Sequence, residues 1–308
     1  MLFVGTDAGL VAVDDGPIFE GRRVDSLAPA ADGIWAVVDG TDVVRIPSGD
    51  AAAVATRAAS AEIASVVALA GGALAGTEGA HLLGVPGDAG MYTAPLEEHE
   101  HVAPVCDTFD AAPGRADWFT PWGGPPATRS LAVDADGTVY ANVHVGGVLA
   151  YRPGASDWEQ TMDVEADAHE VAAHPRRAGV VAAATARGLA LSPDGARSWT
   201  FRTDGLHATY CRAVAFDGDL LVVSASDGPR GGRSAVYRMD LAAGDLERVT
   251  AGLPAWFTAN VDTGCLAVDG DVVVIGDASG TVYRSEDRGE HFDVEASGFG
   301  AVRAVAVA

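Results

Sequence analysis

The feature that most constrains this chain is a repeat. Six segments share one pattern: an alternating apolar run, a short turn, a second apolar run ending in Gly, and then a third run. They begin near Ser26, Ser65, Arg129, His169, Arg212 and Cys265. Alternation at period two marks β-strands, and no helix-period stretch of comparable length competes with it. Second strands are clearest at 138–143, 179–184 and 271–276, and third strands at 148–151, 189–191 and 281–284. Fourth strands, such as 199–201 and 292–294, are shorter and more polar. Four strands per repeat is the blade of a β-propeller, an all-β fold.

The two ends supply the count. Residues 302–307 read as a first strand with nothing after it, and Met1–Gly9 as a second strand with nothing before it. Joined, they complete one more blade and remove two free sheet edges. Seven blades over 308 residues give 44 residues each, a usual repeat length. Six blades is the alternative, because the repeat is blurred in the Ala-rich residues 41–100. Residues 1–308 are read as one propeller domain with an inserted loop at about 93–128. That loop carries His99, His101, Cys106, Trp118, Phe119 and Trp122. Three aromatics in five residues favour a packed loop over a disordered one.

Charge narrows the partners. There are 43 acidic side chains against 20 basic ones, every basic one is arginine, and the net charge is −23. Self-repulsion on that scale is relieved by molar salt, so the composition resembles that of a halophile's cytoplasm. Nucleic acid and anionic membrane need a basic footprint and are excluded as general partners. The first residues have no basic region or long apolar run, which excludes a signal peptide, and no apolar stretch is long enough to span a membrane. Three cysteines without CxxC spacing fit free thiols in a reducing compartment. A cytoplasmic location is expected.

Two segments carry a recognisable motif. Ser192-Pro193-Asp194-Gly195-Ala196-Arg197-Ser198-Trp199 and Ser285-Glu286-Asp287-Arg288-Gly289-Glu290-His291-Phe292 both follow Ser-x-Asp-x-Gly-x-x-Trp, with Ala196 in place of the glycine and Phe292 in place of the tryptophan. Residues 151–158 look like a worn copy lacking the Asp. Such a segment is a turn between third and fourth strands: Ser and Asp bond backbone groups, and the aromatic wedges between sheets. The motif resembles the Asp box of the WD40/YVTN/BNR-like repeat propellers. Residues 120–126, 142–147 and 206–212 are similar to stretches of prokaryotic BNR proteins described as glycosyl hydrolase-like. The resemblance implies architecture rather than activity. Arg45-Ile46-Pro47 matches the Arg-Ile-Pro signature of sialidases, but residues 43–46 read as a third strand, away from the channel, so the match is accidental.

Aligning the inner strands gives the candidate site. Their opening residues are Arg303, Asp25, Ser65, Arg129, His169, Arg212 and Gly264, and equivalent positions should form one ring around the channel. Arg129, Arg212 and Arg303 would then be forks for a carboxylate, sulfate or phosphate. Alternatively, each pairs with an acid such as Asp25, Glu170 or Asp262. Loops between second and third strands should gather Asp7, Glu78, His144, Ser226, Asp227 and Asp277 at the same mouth, with Asn142 one step down and Tyr210 just outside the ring. His144 and His169 come from adjacent blades and should face each other. With Asp227 or Glu170 they could hold a metal, but hydrogen-bonded neutral histidines are commoner, and no metal is assigned.

Ligand contacts are therefore expected from Arg129, Arg212, Arg303, His144, His169, Asn142 and Trp122. If the protein is an enzyme, a hydrolase or lyase, Glu170, Asp227 or Tyr210 would move protons. No nucleotide cofactor is expected, since no phosphate loop is present. The partner is a small anionic or carbohydrate ligand, or, on a scaffold reading, another protein.

Overall fold

The computed structural model describes residues 1–48, 54–58, 61–87 and 103–308, with residues 54–58, 103 and 104 described by backbone alone. His99 and His101 lie outside the described residues. Seven antiparallel sheets follow one another along the chain. Their inner strands are Val302–Val307, Val24–Ala30, Ile63–Leu69, Ala127–Val133, Ala168–Ala173, Tyr210–Asp217 and Leu266–Asp269, for blades 1 to 7. Each inner strand packs against the next, and the seventh packs against the first, which closes the ring. The protein is a seven-bladed β-propeller.

Ring closure is a strand exchange between the two ends of the chain. Val302–Val307 pairs with Leu2–Thr6, matching Leu2 to Val307 and Val4 to Val305. The expected seventh blade is therefore made of one C-terminal and three N-terminal strands. Three strands are described for blade 3 and four for every other blade.

Period-two alternation builds the core. In blade 4, Val139, Ala141 and Val143 pack toward blade 3, with Leu74, Leu82 and Phe109. Tyr140, Val148 and Ala150 pack the other way, against Val171 and Ala183 of blade 5. The same division repeats around the ring: the described residues form one apolar cluster in each of the seven interfaces. Every sheet is thus buried on both faces. The motif turns add wedges: Trp199 Nε1 donates to Thr161 O of the preceding blade at 3.1 Å, and Phe292 is buried against blade 6.

Those turns have the predicted chemistry. Ser192 Oγ accepts from Ala196 N at 2.8 Å, and Asp194 Oδ1 accepts from Ser198 N at 2.9 Å. Ser285 and Asp287 repeat the arrangement toward Gly289 and His291. Ala196 sits at φ 65°, the left-handed conformation that Gly289 holds in the other copy at φ 77°. Arg45 lies in the third strand of blade 2, Asp42–Pro47, where it binds Asp32 and Gly87 O, as expected for a residue outside the channel.

The inner strands of blades 1 to 6 each have a bulge near the start, and this shifts one expected position. In blade 4 the extra residue is Arg129, between Thr128 and Ser130; in blade 5 it is His169; in blade 2 it is Asp25. In blade 3 it is Ala64, so Ser65 does not belong to the ring. The residue after the bulge is instead a latch between blades. Ser65 Oγ donates to Thr128 O at 2.7 Å, and Ser130 Oγ accepts from Val171 N at 2.9 Å. Glu170 occupies this latch position in blade 5. Among the described residues no helix is long and apolar enough to cross a membrane.

Candidate functional site

Of the bulged residues, Asp25, Ala64, Arg129 and Arg303 reach one mouth of the channel. A cavity of about 630 Å³ opens there. Arg129, Arg303 and His144 line it, together with Arg23, Asp25, Glu62, Glu78 and Asp262. The insertion forms part of its rim. Trp118 is buried against Phe109, at 5.6 Å between ring centroids, and anchors the loop. Phe119 exchanges backbone hydrogen bonds with Val145, at 3.1 and 3.2 Å. Trp122 is thereby held over the mouth, 65% exposed, with its ring 5.2 Å from that of His144.

The three arginines differ in what they face. Arg212 is buried and does not line the cavity; its Nε and Nη2 donate to Asp262 Oδ1 at 2.9 and 2.5 Å. This corrects the expectation that all three open into the mouth. Arg303 lines the cavity, paired with Asp7 and, at 3.3 Å, with Asp25. Arg129 is less compensated. Its Nη1 lies 3.1 Å from His144 Nδ1, and its Nη2 is 3.7 Å from the Asp262 oxygen that Arg212 already uses. Burial and then the neighbouring Arg212 charge lower its pKa. Both sequence expectations therefore hold in part: the arginines take acid partners, and two of them still face the channel.

The proposed proton-transfer carboxylates are engaged elsewhere. Glu170 accepts from Val214 N at 2.8 Å and Gly264 N at 2.9 Å, tying blade 5 to blades 6 and 7. Burial pushes its carboxyl up to about 8 against the pull of those two N–H groups. Asp227 takes a fork from Arg233, at 3.0 and 3.2 Å, and does not line the cavity. The lining carboxyl that the sequence did not signal is Glu62. Glu78 was expected at the mouth, and burial, then Glu62, raises its pKa. Nothing in the inner-strand register points to Glu62, which precedes Ile63. None of the cysteines is poised as a nucleophile: all three are free, and burial pushes Cys106 and Cys211 up to about 12.

Beside the cavity, between blades 4 and 5, His144 and His169 do face each other, with ring centroids 5.4 Å apart. The residue that joins them is Asp167, which the sequence did not signal. Its Oδ1 is 3.3 Å from His144 Nε2 and its Oδ2 is 3.6 Å from His169 Nε2. Asp167 is in a left-handed conformation, φ 48°, that turns its carboxylate back between the rings. Burial raises its pKa, but the two imidazoles win and hold it well below the usual carboxylate range. Tyr210 packs on His169 at 4.6 Å, and Arg212 lies over the Tyr210 ring. Asn142 is fully buried two residues before His144, and neither of its amide atoms has a hydrogen-bond partner among the described residues.

No family model and no curated protein matches the sequence. Solved structures are similar in fold. A GH74 enzyme from Niastella koreensis superposes with TM-score 0.65 at 13% identity, over 95% of this chain and 46% of that one. The chain thus spans about half the length of that enzyme. The WD40 β-propeller domain of Doa1 gives TM-score 0.61 at 13% identity, covering 95% of this chain and 83% of that one. The RRP9 WD40 repeats give 0.61 at 12% identity, over 90% and 81%. At such identities the likeness establishes the fold, and a fold shared by an enzyme and WD40 propellers does not select a function.

Proposed function

We propose that this propeller, of the Asp-box (BNR) kind and cytoplasmic, binds a small acidic, sugar-like ligand in the channel-mouth cavity. The observation that carries the reading is the shared carboxylate: one oxygen of Asp262 serves both Arg212 and Arg129. The inner guanidinium takes the tight contacts, and the outer one is left facing the cavity. A carboxylate or sulfate on the ligand supplies the missing partner in the fork geometry that arginine favours. Glu62, Glu78 and Asp25 on the lining accept from hydroxyls, and the exposed Trp122 ring offers an apolar platform for a sugar face.

Calorimetric titration with glucuronate, glucose and sulfate tests this reading. Glucuronate should bind, glucose should bind far more weakly, and Arg129→Gln should cost about 2–5 kcal/mol of glucuronate affinity. Equal binding of glucose and glucuronate, or an unaffected Arg129→Gln variant, would overturn it. A hydrolytic or lyase reading of the same cavity falls on Glu78, whose carboxyl pKa is raised by burial and then by Glu62. It is distinguished by turnover that Glu78→Gln abolishes while glucuronate binding persists.

A further inference from the structure

We propose that His144, Asp167 and His169 form a binding site for a divalent first-row transition-metal ion at the junction of blades 4 and 5, on the edge of the channel cavity. One ligand atom from each residue lies within 4.8 Å of the other two. The carboxylate approaches the two Nε2 atoms at 3.3 and 3.6 Å. Ligands about 2.1 Å from a tetrahedral or octahedral ion are separated by roughly 3.0–3.4 Å. A small inward movement of the two rings therefore closes the set. Two imidazoles and a carboxylate suit ions such as zinc or iron(II), and leave coordination positions open.

The hydrogen bonds around the site assign the protons. His169 Nδ1 is 2.6 Å from Cys211 O, a carbonyl that can only accept, so Nδ1 carries the proton. Nε2 is then the nitrogen turned toward Asp167, 3.6 Å from its Oδ2, and the one an ion would take. His169 is completely buried, and its Nε2 has no hydrogen-bond partner among the described residues. A buried carboxylate between two imidazole nitrogens calls for a cation, whether a proton or a metal ion. A backbone carbonyl that fixes the far nitrogen of a histidine is also the usual support for a metal ligand.

Arg129 is the competitor. Its Nη1 donates to His144 Nδ1 at 3.1 Å, which keeps the His144 proton on Nε2, the atom the ion needs. With an ion on Nε2 the proton moves to Nδ1, where it meets the guanidinium. Arg129 must then withdraw, and Asp262, 3.7 Å from its Nη2, is placed to receive it. Metal binding and the Arg129–His144 contact are thus mutually exclusive.

Titration of the full-length chain with Co²⁺, read by its visible absorption and by equilibrium dialysis, tests the site. One ion per chain is expected, with absorption intensity of a low-coordinate nitrogen-and-oxygen site, displaceable by Zn²⁺. Asp167→Asn should weaken binding by at least about tenfold. His169→Asn, which keeps a donor toward Cys211 O, should do the same. Arg129→Leu should tighten binding severalfold, an effect that a merely structural cluster would not give. Ions held only by surface carboxylates, seen as many weak sites unchanged in Asp167→Asn, would overturn the proposal. So would weaker binding in Arg129→Leu. Because glucuronate is absent from these titrations, they succeed or fail independently of the ligand reading.

Discussion

Replacing Asp262 by Asn isolates the charge on which the cavity depends. The side-chain amide keeps an oxygen where Oδ1 stands, so the acceptor for Arg212 Nε at 2.9 Å and for Thr263 N at 2.8 Å is retained. What disappears is the negative charge between two guanidiniums, one of them buried. Removing one partner of a fully buried pair costs about 3–5 kcal/mol. The Asp262 side chain is 45% exposed, so solvent screens part of this, and a loss of roughly 1–3 kcal/mol is expected. The more informative consequence is a gain. With the Asp262 charge gone, Arg129 and Arg212 present two uncompensated charges, and an anion in the cavity should stabilise the variant more than the parent. At a hundredfold excess over Kd a bound anion adds about 2.7 kcal/mol. Urea unfolding followed by circular dichroism, in chloride and with added sulfate, measures both quantities. General exclusion of sulfate from protein surfaces raises both proteins alike, so the difference between them is the readout. A variant as stable as the parent, or an equal response of the two to sulfate, would refute the shared-carboxylate reasoning.

Two further outcomes are expected. Asp217 accepts from Gly270 N at 2.9 Å and pairs with Arg176 at 2.9 Å; burial raises its pKa, but these contacts prevail and lower it. Its contribution is therefore present above the unfolded value near 3.9 and is lost as pH falls through the lower folded value. Urea midpoints of Asp217→Asn should lie below the parent's at neutral pH, by about 1–3 kcal/mol, and the gap should narrow as pH falls below the unfolded value near 3.9; a gap independent of pH contradicts the assignment. Thermal midpoints should rise steeply between low and molar salt as a net charge of −23 is screened, and equal midpoints would remove the halophile reading.

How much was legible follows from what repeats. The seven blades were readable because each strand must bury two faces, which leaves the same alternation in every blade, and because the two terminal segments were each an incomplete copy. The convergence of Arg129, His169 and Arg303 was readable for the same reason. A bulge is invisible to a period-two pattern, since it adds one residue without changing the residue types around it. That is why Ser65 was aligned where Ala64 stands, and why Glu170 was taken for a catalytic group when it occupies the latch position held by serine in neighbouring blades. Asp167 and Glu62 escaped because each sits just outside its inner strand, where position is fixed by loop conformation. Asp25 and Asp262 were named as partners of the arginines, and the contacts bear that out.

The two ends of the channel treat their buried polar groups differently, and the contrast argues for where function lies. At the end away from the insertion, Asp134 and His174 are fully engaged. Asp134 accepts from Asp136 N, Thr138 N, Tyr140 Oη and Gly179 N, all near 3.0 Å. His174 accepts from Arg176 N and Arg177 N through one nitrogen and contacts Gly218 O at 2.7 Å through the other. These groups latch blades 4 to 6 together and have little left to offer a ligand. At the mouth, Asn142 and His169 Nε2 are buried without hydrogen-bond partners among the described residues, and Arg129 shares its carboxylate. An unsatisfied buried group costs about 1–3 kcal/mol, and Asp134 and His174 avoid that cost at the far end. The groups left short at the mouth, beneath the insertion, are the observation on which the proposal of a binding surface there rests.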